Sequence, residues 1–161
     1  MIEKTRKLII HLLLIVLTVS ITSCGFKVID RSNLNYDIAE ITTTGEKRIN
    51  FKIKNKLLFN STENNKKLIN IDINSKKIKS IKEKNIKNEV TKYELKIQVI
   101  VTFSEFNSLE KNKFNIQVSG DYDVANQFSQ TLTNEKRIIE TLTDKIAEKI
   151  TDNLILKVND I

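Results

Sequence analysis

From Val90 to Phe103 apolar and polar positions alternate almost without a break: Tyr93, Leu95, Ile97, Val99, Val101 and Phe103 against Glu94, Lys96, Gln98, Ile100 and Thr102. Successive side chains of an extended chain point to opposite faces, so six apolar groups share one side. Each contributes roughly 1.5–3 kcal/mol when fully buried, which predicts a strand at the centre of a sheet. After a polar turn at Asn107 to Lys113, Phe114, Ile116, Val118, Gly120 and Tyr122 alternate again. The two runs predict an antiparallel hairpin. Earlier, Ile69, Ile71 and Ile73 alternate with Asn70, Asp72 and Asn74 within 67–81. Past Ser75 the spacing slips to Ile78 and Ile81, which predicts a bulge or bend near Ser75 to Lys77. Lys82 to Glu89 reads as a polar connection.

A different period marks the C-terminal segment. Ile138, Leu142, Ile146, Ile150 and Leu154 form one stripe, widened by Ile139 and Ala147, which predicts a helix from Asn134 to about Leu156. Thr133 or Asn134 is the expected cap, with Glu135 in the first turn. Ala125 to Leu132 reads as irregular. Glu46 to Asn60 fits two patterns: Ile49, Ile53 and Leu57 suit a helix face, and Ile49, Phe51 and Ile53 suit a strand. Its length favours the helix, with Thr44 as a possible cap and Glu46 near the positive terminus. A first strand is expected over Ile38 to Thr43, a break at Gly45, and a turn over Ser61 to Lys66. The order β-α-β-β-β-α predicts an α+β fold, a two-layer sandwich in which two helices pack on one face of a four-stranded, mostly antiparallel sheet. Residues 38–161 make one such domain.

Ahead of it, Lys4, Arg6 and Lys7 lead into an apolar block from Leu8 to Leu17, followed by Ile21-Thr22-Ser23-Cys24. A positive start, an apolar middle and small residues before a cut define a secretory leader, expected here over 1–23. Ile-Thr-Ser-Cys resembles the lipobox of bacterial lipoproteins, which makes Cys24 the expected first mature residue and the carrier of a covalent lipid. Residues 24–37 read as the lipidated start and tether. An uncleaved membrane anchor is the competing reading, but Leu8 to Thr22 falls short of the roughly 20 apolar residues a span needs, and it contains His11, Thr18 and Ser20. An ordinary leader with an incidental cysteine is the other.

Composition narrows the function. The net charge of +7 favours anionic partners, although a chain rich in Lys, Asn and Ile with no Pro or Trp also fits biased codon usage. Export points toward acidic lipid or lipopolysaccharide and away from nucleic acid. After Cys24 there is no further Cys and no His. A disulfide framework, a histidine-based zinc site, a Ser-His-Asp triad and a Cys-His pair are therefore excluded. No glycine-rich phosphate loop exists. Catalysis is the least supported class, and no cofactor is expected besides the lipid on Cys24.

With this order the chain resembles the LPS-assembly lipoproteins of the LptE family. Cys24-Gly25-Phe26 resembles the family's lipidated start, Glu89 to Phe103 with Tyr93 its third strand, and Asn134-Glu135 the opening of its last helix. The likeness spans essentially the whole mature chain without one diagnostic motif. It departs in lacking the prolines of longer members and in stopping almost directly after the last helix. The resemblance implies a non-enzymatic protein of the outer membrane. Its partner would be the β-barrel LPS-assembly protein LptD, whose lumen it plugs, and its ligand lipopolysaccharide.

Between Lys76 and Lys92 stand seven lysines against two glutamates. Lys82, Lys84, Lys87 and Lys92 are the candidates for lipopolysaccharide phosphates, each a point charge; a merely solvated hairpin end is the plainer alternative. Tyr93 and Tyr122 lie on core-facing alternations and are expected to pack. Asp121 and Asp123 offer too few oxygens for a calcium site by themselves. A periplasmic lipoprotein carrying a small apolar ligand is the alternative function, and a small hydrolase a remote third.

Overall fold

In the computed structural model the alternating runs form one four-stranded sheet in the order β1-β2-β3-β4. Its strands are β1 (Tyr36–Gly45), β2 (Lys67–Lys84), β3 (Val90–Glu105) and β4 (Asn112–Asp123). Two helices complete the fold, α1 (Lys47–Phe59) between β1 and β2, and α2 (Phe128–Val158) after β4. The structure describes residues 36–59 and 67–158. The leader, Cys24, most of the tether and the turn expected at Ser61 to Lys66 lie outside the described residues.

β2, β3 and β4 pair antiparallel, whereas β1 pairs parallel to β2. The β1-α1-β2 unit is therefore a crossover, with the helix returning the chain to the end where β1 began. Ile69, Ile71 and Ile73 of β2 face the helices beside Leu95, Ile97, Val99, Val101 and Phe103 of β3, all at 1% exposure or less. Ile49, Ile53 and Leu57 of α1 and Leu142, Ile146, Ile150 and Leu154 of α2 close the same core. β3 lies between two partners, as its pattern predicts. The helices are bridged by Lys52–Glu140 at 3.3 Å and Lys56–Asp144 at 2.7 Å, half-exposed pairs that add little energy and fix register.

The ambiguous segment is a helix: Ile53 is fully buried while Phe51 is 66% exposed, which one strand face would not allow. Thr44 is not its cap, because it belongs to β1. Glu46 stands at the cap position, and its carbonyl accepts from the Asn50 N–H at 2.9 Å. The expected bulge at Ser75 to Lys77 is absent. β2 and β3 keep one register from Ile69↔Glu105 to Ile81↔Tyr93, and it shifts only around Glu83. Ile78 instead turns to the open face, while Lys77, Lys79 and Ile81 continue the helix-facing lane. β2 also runs on to Lys84, through part of the expected connection.

The last helix starts six residues before Asn134, so neither Thr133 nor Asn134 caps it and Glu135 lies beyond its first turn. Thr131 joins the helix start to the preceding loop: the Ala125 N–H donates to its hydroxyl at 2.9 Å. α2 packs tightly over Gly120, where a Cβ would stand 2.8 Å from Ile138 Cδ1. The missing side chain at that position allows the contact.

Candidate functional site

The helix-facing lane changes character where β2 and β3 outrun the apolar stripe of α2. Beyond Ser75 and Leu95 the lane carries Lys79, Ile81, Tyr93 and Tyr122. Ile81 pairs with Tyr93, and Tyr93 with Tyr122, so they form one row across three strands. The tyrosine rings stack with centroids 5.6 Å apart, and the Lys79 ammonium sits 4.2 Å from the Tyr93 centroid. Glu135 reaches down from α2 to this row. Its Oε2 accepts from Tyr122 Oη at 2.7 Å and from Lys79 Nζ at 2.8 Å.

Each partner holds the others' protonation state. Burial opposes charge on Glu135, but hydrogen bonds from Lys79 and Tyr122 outweigh it and hold the carboxyl below its ordinary value. Burial likewise opposes charge on Lys79, and the hydrogen bonds to Glu135 and Tyr122 overcome it, so the ammonium pKa rises. The Tyr122 phenol is raised, first by burial and then by the carboxylate it donates to. This row serves packing and alignment: it ties the far ends of β2, β3 and β4 to α2.

The sign of its pH dependence follows. A carboxyl lowered in the folded state contributes stability above its unfolded value, about 4.5, and loses that contribution as pH falls through the folded value. Glu135→Gln is therefore expected to cost about 1 kcal/mol at neutral pH, and the gap to wild type should close as urea unfolding is repeated toward pH 3. A gap that stays constant with pH would mean that the carboxylate charge contributes nothing.

The structure separates the sequence-predicted lysines into two kinds, Lys82 and Lys92 on the strands and Lys84 and Lys87 at the hairpin end. Lys82 forms an ion pair with Asp121. Lys92 lies 3.2 Å from Glu83 and 3.7 Å from Asp123. Hydrogen bonds to Asp121 and Glu83 raise the ammonium pKa of both lysines. The two aspartates face lysines rather than each other. Lys84 and Lys87 belong instead to the hairpin tip. Lys84 Nζ donates to the Asn88 amide oxygen at 2.9 Å, and no acid lies in ion-pair range of either lysine among the described residues.

The tip is stiff. Asn85 Oδ1 accepts the N–H groups of Lys87 at 2.9 Å and Glu89 at 3.0 Å, and Asn88 takes a left-handed φ of 64° that asparagine tolerates. Ile86 projects from it fully exposed, with Ile81 at 53% exposure on the strand below. Phe128 and Leu132, in the overhanging first turns of α2, add exposed apolar surface at the same end. The hairpin end thus carries exposed isoleucines and ammonium groups that no carboxylate neutralises among the described residues. Sequence reasoning found the lysines but not the isoleucines, whose exposure depends on where the helix layer stops.

A groove of about 240 Å³ lies between the end of β4 and α2, lined by Asp121, Asp123, Asn134, Arg137 and Thr141 among others. It is smaller than the roughly 300 Å³ at which small-molecule sites begin, and more polar than a carrier of apolar ligands needs.

No family model matches the chain, and no curated protein does. Solved structures do. A protein assigned as a lipoprotein from Caulobacter crescentus CB15 matches at TM-score 0.54 and 16% identity, covering 74% of this chain and 90% of its own. An uncharacterized lipoprotein B from Nitrosomonas europaea matches at TM-score 0.52 and 13% identity, covering 84% and 93%. At these identities the likeness is one of fold.

Proposed function

We propose that the chain is a non-enzymatic outer-membrane lipoprotein of the LptE kind. Lipid on Cys24 anchors it, it seats in the lumen of the β-barrel LptD, and it binds lipopolysaccharide at the hairpin end. One observation carries the ligand: the tip joins Lys84 and Lys87, which no carboxylate neutralises among the described residues, to exposed Ile81 and Ile86, matching phosphate and acyl chain on one anionic amphiphile. The fold shared with two lipoproteins and the lipobox-like Ile21-Thr22-Ser23-Cys24 support the class. More than one acyl chain on Cys24 would make the anchoring durable.

The ion pairs narrow the candidate residues. Lys82 and Lys92 already hold carboxylates, so a phosphate would have to compete for them. Lys84 and Lys87 need release nothing charged. A basic group near an anionic surface contributes roughly 1 kcal/mol. Lys84→Glu with Lys87→Glu is therefore expected to weaken lipopolysaccharide binding at least about tenfold, and Lys82→Glu with Lys92→Glu to weaken it less, measured by pull-down on immobilised lipopolysaccharide. Unchanged binding in the first pair would sink the assignment of the tip. Copurification from detergent-solubilised membranes, with Cys24 retained, tests the partner. A stoichiometric outer-membrane barrel is expected, and a monomer free of any barrel would overturn that half of the reading.

A further inference from the structure

α1 carries Lys47, Arg48, Lys52, Lys54 and Lys56 and no acid along its length. Lys52 and Lys56 are neutralised by Glu140 and Asp144 of α2, and Lys54 Nζ donates to the Ile41 carbonyl at 3.3 Å. Lys47 and Arg48 have no carboxylate in ion-pair range among the described residues. Both stand in the first turn, the positive end of the helix dipole, where a cation costs stability. A residue that works against its own element commonly serves something outside it.

Apolar groups share that surface. At about 100° per residue, burial of Ile49, Ile53 and Leu57 turns Arg48, Phe51, Asn55, Leu58 and Phe59 outward. Phe51 and Phe59 are mostly exposed and Leu58 nearly half. Lys136 of α2 lines the small cleft beside Arg48 and adds another cation. A helix face that joins cations to aromatic and aliphatic side chains has the chemistry of a membrane-surface helix. A barrel lumen is polar, so a seat there does not account for the phenyl groups.

We propose that the outward face of α1 rests on an anionic phospholipid leaflet, with Phe51, Leu58 and Phe59 among the upper acyl carbons and Lys47, Arg48 and Lys136 at headgroup phosphates. The tether brings this occupant within reach. β1 opens at Tyr36, twelve residues from Cys24, and α1 finishes at the same end of the sheet. Twelve residues span at most about 43 Å, so a lipid on Cys24 holds Phe59 close to the bilayer. No helix among the described residues is long and apolar enough to cross a membrane, and the contact is a peripheral one. It takes a single copy and serves the anchored chain while no barrel holds it. The inference rests on the Cys24 anchor of the reading above and on neither barrel nor lipopolysaccharide.

Two dye positions test it. Asn55 lies on the outward ridge of α1, and Asn115 is exposed on the open face of the sheet. Full chains with Cys24 retained, carrying Asn55→Cys or Asn115→Cys labelled with a nitrobenzoxadiazole dye, are reconstituted into vesicles of phosphatidylethanolamine and phosphatidylglycerol. The helix dye is expected to shift its emission to the blue and to be quenched by spin-labelled lipid, and the sheet dye to do neither. Phe51→Glu with Phe59→Glu should abolish both signals of the helix dye while the chain still floats with the vesicles. Lys47→Glu with Arg48→Glu should weaken them, as should phosphatidylcholine in place of the anionic lipid. That charge reversal suits the helix dipole better, so its effect cannot be a loss of fold. A helix dye as wet as the sheet dye, or quenching unchanged by the first pair or by the second, would overturn the proposal and leave the anchor standing. A chain that does not float with the vesicles would overturn both.

Discussion

Gly45→Ala is expected to lose about 2–4 kcal/mol in chemical denaturation, among the largest effects of any single-methyl addition to this chain. Gly45 ends β1 at φ 93°, a conformation that strains any residue with a Cβ. The added carbon would stand 1.9 Å from the Ser75 carbonyl oxygen, which is backbone of the neighbouring strand and cannot rotate aside. That same carbonyl accepts the Glu46 N–H at 3.3 Å, with Ser75 Oγ a second acceptor at 3.1 Å. One residue before Gly45, the Thr44 carbonyl accepts from Asn50 Nδ2 at 2.8 Å, which holds the turn from the other side. Moving β1 to admit the methyl would break the entry into α1. A variant within about 0.5 kcal/mol of wild type would show that β1 can shift away from Ser75 at little cost.

The second large effect separates two neighbours on α1. Ile53→Ala is expected to cost about 2–5 kcal/mol, because a fully buried side chain leaves a cavity that the packed surroundings fill only in part. Phe51→Ala, two residues away and mostly exposed, should stay within about 0.5 kcal/mol. A strand over this segment would place both on one face and make both costly. Thermal melts of the two variants therefore test the helix assignment as well as the core.

The parts of the fold legible in the sequence are those whose pattern is set by one neighbour. β3 alternates from Leu95 to Phe103 because helices cover it along that length, and the stripe Ile138 to Leu154 faces one sheet. The misread places are those where the covering layer stops. Lys77 and Lys79 occupy helix-facing positions beyond the apolar end of α2, so their polarity imitated a slip of register where the strand in fact runs straight. Phe128 and Leu132 open α2 without a sheet beneath them, so no apolar stripe announced those turns. The lysines were visible as a count, but which of them are neutralised depends on Asp121 and Asp123, about thirty to forty residues away in sequence and adjacent in space. The direction of β1 was likewise open, since alternation is the same in parallel and antiparallel strands.

That direction has a mechanical consequence. β1 starts beside Lys67, at the end of the sheet opposite the hairpin tip, and its register with β2 runs from Tyr36↔Lys67 to Gly45↔Ser75. A pull between the chain ahead of Tyr36 and the tip at Ile86 would draw β1 toward its N-terminus and β2 toward its C-terminus. For parallel strands that is loading in shear: the rungs of the ladder bear the force together and must give way together. An antiparallel β1 would have entered from the other end and could have peeled from the sheet one rung at a time. A tether attached to a membrane and a tip holding cargo would be joined through the stronger of the two geometries.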